Sequence, residues 1–217
     1  MTSVTIGISE SQMRVAVAHI VAADPAFDAI TASAPLCRIG RDDSPKGDHF
    51  ADLVYSVVAQ QLSTKAADTI SGRLNVRVDD ELTPARILAL DDALLRGAGL
   101  SRAKTRTIRG LAQAFADGSL DLEAAIARGD DQYVSAQLQQ LWGIGRWTVE
   151  MFLIFTLHRL DVWPVGDLAM RRGWQQLHGC GAVAPAELDA LGEPLRPYRA
   201  VAAWYCWHHV DGDNPSW

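Results

Sequence analysis

The chain has 217 residues, a formal net charge of −6, 48% hydrophobic residues and 21% charged residues. That length is one large domain or two small ones, and the composition excludes disorder over most of it. No apolar run reaches the ~18–20 residues of a membrane span. Met1-Thr2-Ser3-Val4-Thr5 lacks the basic-then-apolar order of a signal peptide, so the expected setting is cytoplasmic, without a membrane partner. Cys37, Cys180 and Cys206 form no C-x-x-C pair, so each reads as a small buried hydrophobe and not as part of a disulfide or cluster.

The apolar spacing is helical nearly throughout. Ser9-x-x-Gln12 has the form of a capping box opening a helix toward Ala22. Residues 48–62 place Phe50, Leu53, Val54, Val57, Val58 and Gln61 on one stripe, and Ala66–Leu74 repeats the pattern. Thr83-Pro84 joins an N-cap to a proline at the first helical position. Asp91, Ser101, Asp121 and Asp130 are further caps, the helix from Ser101 running to Phe115. Helices follow at 146–158, 167–178, 185–191 and 197–209. Strand-like residues are confined to the first eight and to Val76–Val78, and residues 40–47 read as a linker. The expected class is all-α, with about ten helices joined by short connections.

Acidic balance argues against gripping nucleic acid by bulk charge, but distribution matters more than the sum. Between Ala93 and Ala116 there is no acid, while Arg96, Arg102, Lys104, Arg106 and Arg109 supply a basic face. All 7 tryptophans fall at or after Trp142, as core or as the lining of a pocket for a flat ligand.

The most informative segment is Leu141-Trp142-Gly143-Ile144-Gly145-Arg146-Trp147-Thr148. A nucleotide-loop reading of Gly143-Ile144-Gly145 fails, because no strand precedes it and Thr148 stands where a third glycine would be. A helix–hairpin–helix fits better: two glycines allow a tight positive-φ turn, and N–H groups at the next helix start can hold a phosphate. Such binding needs few lysines. The plainer alternative is a glycine turn between packed helices. Trp147 and Met151, four apart, share one helix face, either as core or as a pocket wall. Beyond that helix, Asp167 follows Pro164 and Gly166; a lone Asp there is most simply an N-cap. Its position lets the chain cross and return, so that its carboxylate would face the side where the hairpin holds DNA.

These residues resemble the helix–hairpin–helix DNA glycosylases, and among them the 3-methyladenine DNA glycosylases of the AlkA type. The likeness covers about residues 48–210. It rests on Val58–Ala67, Ala98–Lys104, the hairpin, Asp161–Asp167 and Arg196-Pro197-Tyr198-Arg199, in that order. It implies a two-lobed all-α bundle with a DNA cleft between lobes. Residues 1–47 would pack on the C-terminal lobe, 48–145 would form a lobe ending in the hairpin, and 146–217 would form the lobe with the aspartate loop. A small helical start would replace the N-terminal β domain of longer relatives.

The resemblance also implies the chemistry. A damaged base must leave the stack before its glycosidic bond can be cut. Leu62 would fill the gap, with Gln61 and Ser63 beside it on the DNA. Gly143, Ile144, Gly145, Arg146 and Thr148 would hold the backbone. Trp147, Met151, Trp163 and Tyr198 would line the base pocket, where a cationic alkylated purine is drawn to an aromatic face. Asp167 would stabilise the positive sugar, a role open to a carboxylate, ionised at neutral pH. Bifunctional relatives such as endonuclease III carry a lysine nucleophile where this chain has Trp147, so base removal without strand cleavage is expected. No cofactor is required, though the hairpin carbonyls of Gln139, Leu141 and Ile144 would hold a structural Na+ or K+. Some relatives carry a tyrosine where this chain has Met151, which leaves lesion choice open. The partner is damaged double-stranded DNA, met by a monomer. The competing readings are a non-catalytic hairpin module that only binds DNA, and a structural helical protein with a fortuitous glycine turn. His49, His158, His178 and the adjacent His208-His209 have no metal-ligand spacing.

Overall fold

The computed structural model describes residues 7–41 and 48–212. The strand-like start, apart from Gly7 and Ile8, and the linker at 40–47, apart from Gly40 and Arg41, lie outside the described residues. The described residues form thirteen α-helices: α1 Glu10–Ala23, α2 Asp28–Ser33, α3 His49–Ala59, α4 Thr64–Arg77, α5 Pro84–Ala89, α6 Asp92–Gly97, α7 Arg102–Ala116, α8 Glu123–Arg128, α9 Asp131–Gln139, α10 Arg146–Met151, α11 Leu168–His178, α12 Pro185–Leu191 and α13 Arg199–Asp211. Short 3-10 turns lie at Pro25–Phe27 and Glu193–Leu195, and a π-helical turn, Phe152–Thr156, follows α10. The class is all-α, and no strand occurs among the described residues.

Local chemistry sets most helix starts. Ser9 and Gln12 close a full capping box on α1. Thr83, Asp91, Ser101, Asp130 and Asp167 each accept a first-turn N–H with a side-chain oxygen. Several boundaries differ from the sequence reading, among them the run at 146–158, where α10 ends at Met151 and the π-helical turn follows. Val76 is not strand but the last turn of α4, 72% exposed; buried Leu74 and Val78, four apart, carry the helical stripe past it. Gln61 lies beyond the end of α3, in a left-handed conformation with φ 57°. Asp121 accepts from the Glu123 N–H but stands one residue before the cap position of α8. Helix α13 begins at Arg199, two residues later than the spacing predicts. The turn at Pro25–Phe27 and helix α2 are too short for a periodic signal.

The chain divides into two compact units, Met1–Pro45 with Leu153–Trp217, and Lys46–Phe152. The sequence reading divides the chain at 145/146, whereas the units meet at 152/153, so α10 stays with the helices before the hairpin. In the first unit α13 is the central helix, and every residue from Ala200 to Trp207 is buried. A helix apolar all round must be enclosed by others. Helix α11 lies against it at Gly173, where a Cβ would collide with the Cys206 carbonyl. Burial pushes the Cys206 thiol up, and Cys37 is also buried. Cys180 is exposed and is not the buried hydrophobe its residue type predicts.

In the second unit the stripe of α3 (Phe50, Leu53, Val54, Val57 and Val58) is buried, with Phe50 edge-on to Phe115 of α7. The basic face of α7 is less open than its composition implies. Arg109 binds Asp92 at 2.5 Å and also donates to the Leu90 carbonyl. Lys104 turns inward: its Nζ donates to the carbonyls of Val58 at 2.7 Å and Gln60 at 2.8 Å. Those carbonyls belong to the open end of α3, which a lysine can cap. Burial holds the Lys104 pKa below the usual lysine value. Losing two charge-assisted bonds costs about 2 kcal/mol. Lys104→Met is therefore expected to lower Tm by about 4–8 °C in a melting experiment. An unchanged Tm would show that the two bonds contribute nothing to stability.

Candidate active site and nucleic-acid interface

The hairpin is built at the end of α9. The Leu141 N–H donates to Leu138 O and the Ile144 N–H to Leu141 O, both at 3.1 Å. Ile144 is buried and anchors the turn, while both flanking glycines are exposed. The two glycines serve different ends, and only one has positive φ. Gly143 is left-handed (φ 82°), and a Cβ there would collide with Thr107 Oγ1 of α7. Gly145 is extended (φ −99°, ψ 177°), and a Cβ there would meet nothing within 4 Å. Gly143 makes the turn; Gly145 keeps the approach to the start of α10 open.

The first α10 hydrogen bond runs from the Val149 N–H to Gly145 O at 3.2 Å, so the N–H groups of residues 146–148 precede it. Gly145 offers no side-chain cap. First-turn N–H groups and the helix dipole together favour an anion. Arg146 is exposed, and its Nε is steered by Glu150 Oε1 at 2.7 Å. The Thr148 side chain is buried and faces Gln60, so only its backbone can serve a phosphate. Trp142 is 49% exposed, with the Arg106 guanidinium 4.2 Å from its ring centroid.

In the same unit, α3 ends in a loop rather than continuing. The Leu62 N–H donates to Ala59 O at 3.1 Å, and Gln61, Leu62 and Ser63 are exposed. Leu62, at 39% exposure, stands off the core that an apolar residue normally joins. Trp147 is half-buried, and Met151 on the same face is buried. Sequence reasoning missed Gln60, although the residue sits inside a motif it quoted.

The aspartate loop belongs to the other unit. Asp167 Oδ1 accepts the Met170 N–H at 2.7 Å, capping α11, and the Trp207 Nε1–H at 2.8 Å. Trp207 is a second residue missed in the sequence; the crowding of tryptophans after Trp142 is the one signal that bore on it. The loop is anchored by Asp161, which accepts from Arg199 Nε at 2.7 Å and from Arg196 Nη1 at 2.6 Å. Arg196 also binds Glu193 and holds its carboxyl below the usual range. Trp163 is buried, and its Nε1–H donates to Leu188 O at 2.8 Å. A Cβ on Gly192 would collide with its indole. Tyr198 is half-buried, with its ring edge-on to His19 at 5.3 Å. No group of three or more His, Cys, Asp or Glu among the described residues could hold a metal ion.

Residues 54–197 match the family described as HhH-GPD superfamily base excision DNA repair protein. DNA-3-methyladenine glycosylase 1 of Schizosaccharomyces pombe is 35% identical over 166 residues, which cover 75% of this chain and 72% of that protein. Among solved structures, the S. pombe 3-methyladenine DNA glycosylase Mag1 in complex with abasic DNA is similar with a TM-score of 0.81. Its identity is 30%, and the match covers 89% of this chain and 95% of that one. A DNA-3-methyladenine glycosidase from Bacillus halodurans is similar at a TM-score of 0.74 and 34% identity, covering 91% of this chain and 89% of that one.

Proposed function

The chain belongs to the HhH-GPD superfamily of base excision DNA repair proteins, and we propose on that premise that it removes an alkylated purine of the 3-methyladenine kind from duplex DNA, by hydrolysis and without strand cleavage. The observation that carries this reading is Asp167. A helix cap needs one oxygen and any of several residue types. Here a carboxylate is chosen, and a tryptophan donates to the same oxygen from another helix. A fixed carboxylate in that loop has no part in phosphate binding by a hairpin, so the non-catalytic module does not explain it.

The steps follow from charge. The hairpin N–H groups hold the DNA backbone, and Leu62 enters the stack as the damaged nucleotide leaves it. Trp147 would offer the base an aromatic face, with Met151 behind it, and half-buried Tyr198 is proposed as a further wall. Trp163, held by Leu188 and Gly192, supports the pocket from within the core. An alkylated purine carries positive charge, so it departs with the electron pair of its bond to C1′ and becomes neutral. The sugar is left as an oxocarbenium-like cation, which the Asp167 carboxylate stabilises. Water adds at C1′ and loses a proton. The indole of Trp147 cannot act as an amine nucleophile, so no Schiff base forms and the strand stays whole.

No cofactor enters these steps. The carbonyls of Gln139, Leu141 and Ile144 suit a structural Na+ or K+: Gln139 and Leu141 lie at the C-terminal end of α9, where carbonyls are left over and the dipole favours a cation. Leu141 O accepts one N–H and retains a second lone pair. The ion would add positive charge toward a phosphate. The enzyme would act as a monomer on nucleoid DNA in the cytoplasm; no described helix is long and apolar enough to cross a membrane.

The test is single-turnover incubation with methylated duplex DNA, followed by analysis of released bases and of the strand. The expected products are free methylated purine and an uncut strand with an abasic site, with nothing trapped by borohydride. A trapped adduct would refute the hydrolytic route. Binding with no base released would leave only the DNA-binding module.

A further inference from the structure

We propose that Gln60 is a positioning residue that locks the loop carrying Leu62 to the phosphate-holding hairpin, so that DNA contact at one fixes the other. The inference rests on the DNA-repair reading above and deepens it. The Gln60 side-chain amide has two N–H groups, and its Nε2 donates both to Gly143 O at 3.0 Å and to Thr148 Oγ1 at 2.8 Å. One acceptor is in the hairpin turn, and the other is in the first turn of α10. The backbone carbonyl of the same residue accepts Lys104 Nζ.

Helix α7 backs both segments. Lys104 holds the end of α3, and Thr107, one turn along on the same face, is the residue against which Gly143 packs. Next in the chain comes Gln61 at φ 57°, a left-handed conformation costly for a residue with a Cβ. Such backbone persists only where its surroundings over-determine it. Here those surroundings are the bonds of Gln60. A wedge must be stiff to displace a base, since an apolar side chain on a loose loop would yield instead. Gln60 thus makes the loop and the hairpin one body, and the hairpin's grip on a phosphate sets where Leu62 stands in the stack.

A double-mutant cycle on Gln60 and Leu62 tests this. Gln60→Met keeps the volume of the side chain and removes both donors. The readout is the ratio of affinities for a duplex with one tetrahydrofuran abasic analogue and the same duplex intact. Such a ratio reports the wedge and needs no base release. Leu62→Ala and Gln60→Met should each lower it about tenfold, and the double variant should fall no further than either alone. Affinity for the intact duplex should change less than threefold with Gln60→Met, because the hairpin N–H groups remain.

A double variant near a hundredfold loss means independent roles and overturns the proposal, as does a full ratio with Gln60→Met. If Gln60→Met is unfolded at the assay temperature, Thr148→Val removes one acceptor from the other side and enters the same cycle. A wild type without preference for the abasic duplex also overturns the proposal. A wild type that prefers it but frees no methylated base refutes the glycosylase activity alone, and the cycle still reads.

Discussion

Asp167→Asn is expected to lower the single-turnover rate of base release by about 10³-fold while leaving Tm within about 2 °C of wild type and DNA affinity equal or higher. Two hydrogen bonds that tie Asp167 into the fold end on Oδ1: the Met170 N–H that caps α11 and the Trp207 indole N–H. An asparagine Oδ1 accepts both, and asparagine is as good an N-cap as aspartate. The variant loses the negative charge, and in the proposed reaction that charge serves the step in which the sugar becomes cationic. A thousandfold loss corresponds to about 4 kcal/mol of transition-state stabilisation.

Asp167→Ala asks a second question. It removes the cap and leaves the indole of buried Trp207 without this acceptor, so it should lose activity to the same degree and also melt lower, the cap alone being worth about 1 kcal/mol. The comparison is made by rapid quench of methylated DNA beside a thermal melt. A rate within tenfold of wild type for Asp167→Asn would reduce the residue to a helix cap.

The second large effect separates the two hairpin glycines. Gly145→Ala is expected to weaken DNA binding more than tenfold with Tm moved by no more than about 2 °C. At φ −99° an alanine is unstrained, and its Cβ meets nothing in the free protein. The small stabilisation from a stiffer unfolded chain is offset by the poorer cap. In the proposed binding mode the added methyl instead stands where a phosphate would approach the α10 N–H groups. Gly143→Ala should do the reverse first. It forces a side chain into a left-handed residue and against Thr107 Oγ1, so it should cost about 2 kcal/mol and lower Tm by about 4–8 °C, with loss of binding following from the damaged turn. Fluorescence anisotropy at two salt concentrations, beside melts of both variants, reads the difference. Gly145→Ala binding like wild type would mean that the hairpin is only a structural turn.

The linear sequence held most of what depends on neighbours along the chain. Capping residues such as Ser9, Thr83, Asp91, Ser101 and Asp130 act within one turn, so helix starts could be read from residue type and spacing. The glycine turn and Asp167 were legible for the same reason, as a local break and a local cap. What lay outside its reach were partners far apart in sequence. Lys104 looked like part of a basic face, because nothing nearby shows that the open end of α3 takes its charge. Trp207 could be read only as one of seven crowded tryptophans, core or pocket lining, because only the packing of α13 on α11 brings its N–H to Asp167. Gln60 was passed over for its exposed neighbours, because its two acceptors arrive from the hairpin. The kind of chemistry was thus written in short motifs. Which side chains hold that chemistry in place was decided by tertiary packing, since a buried donor or acceptor must find its partner wherever the fold supplies one.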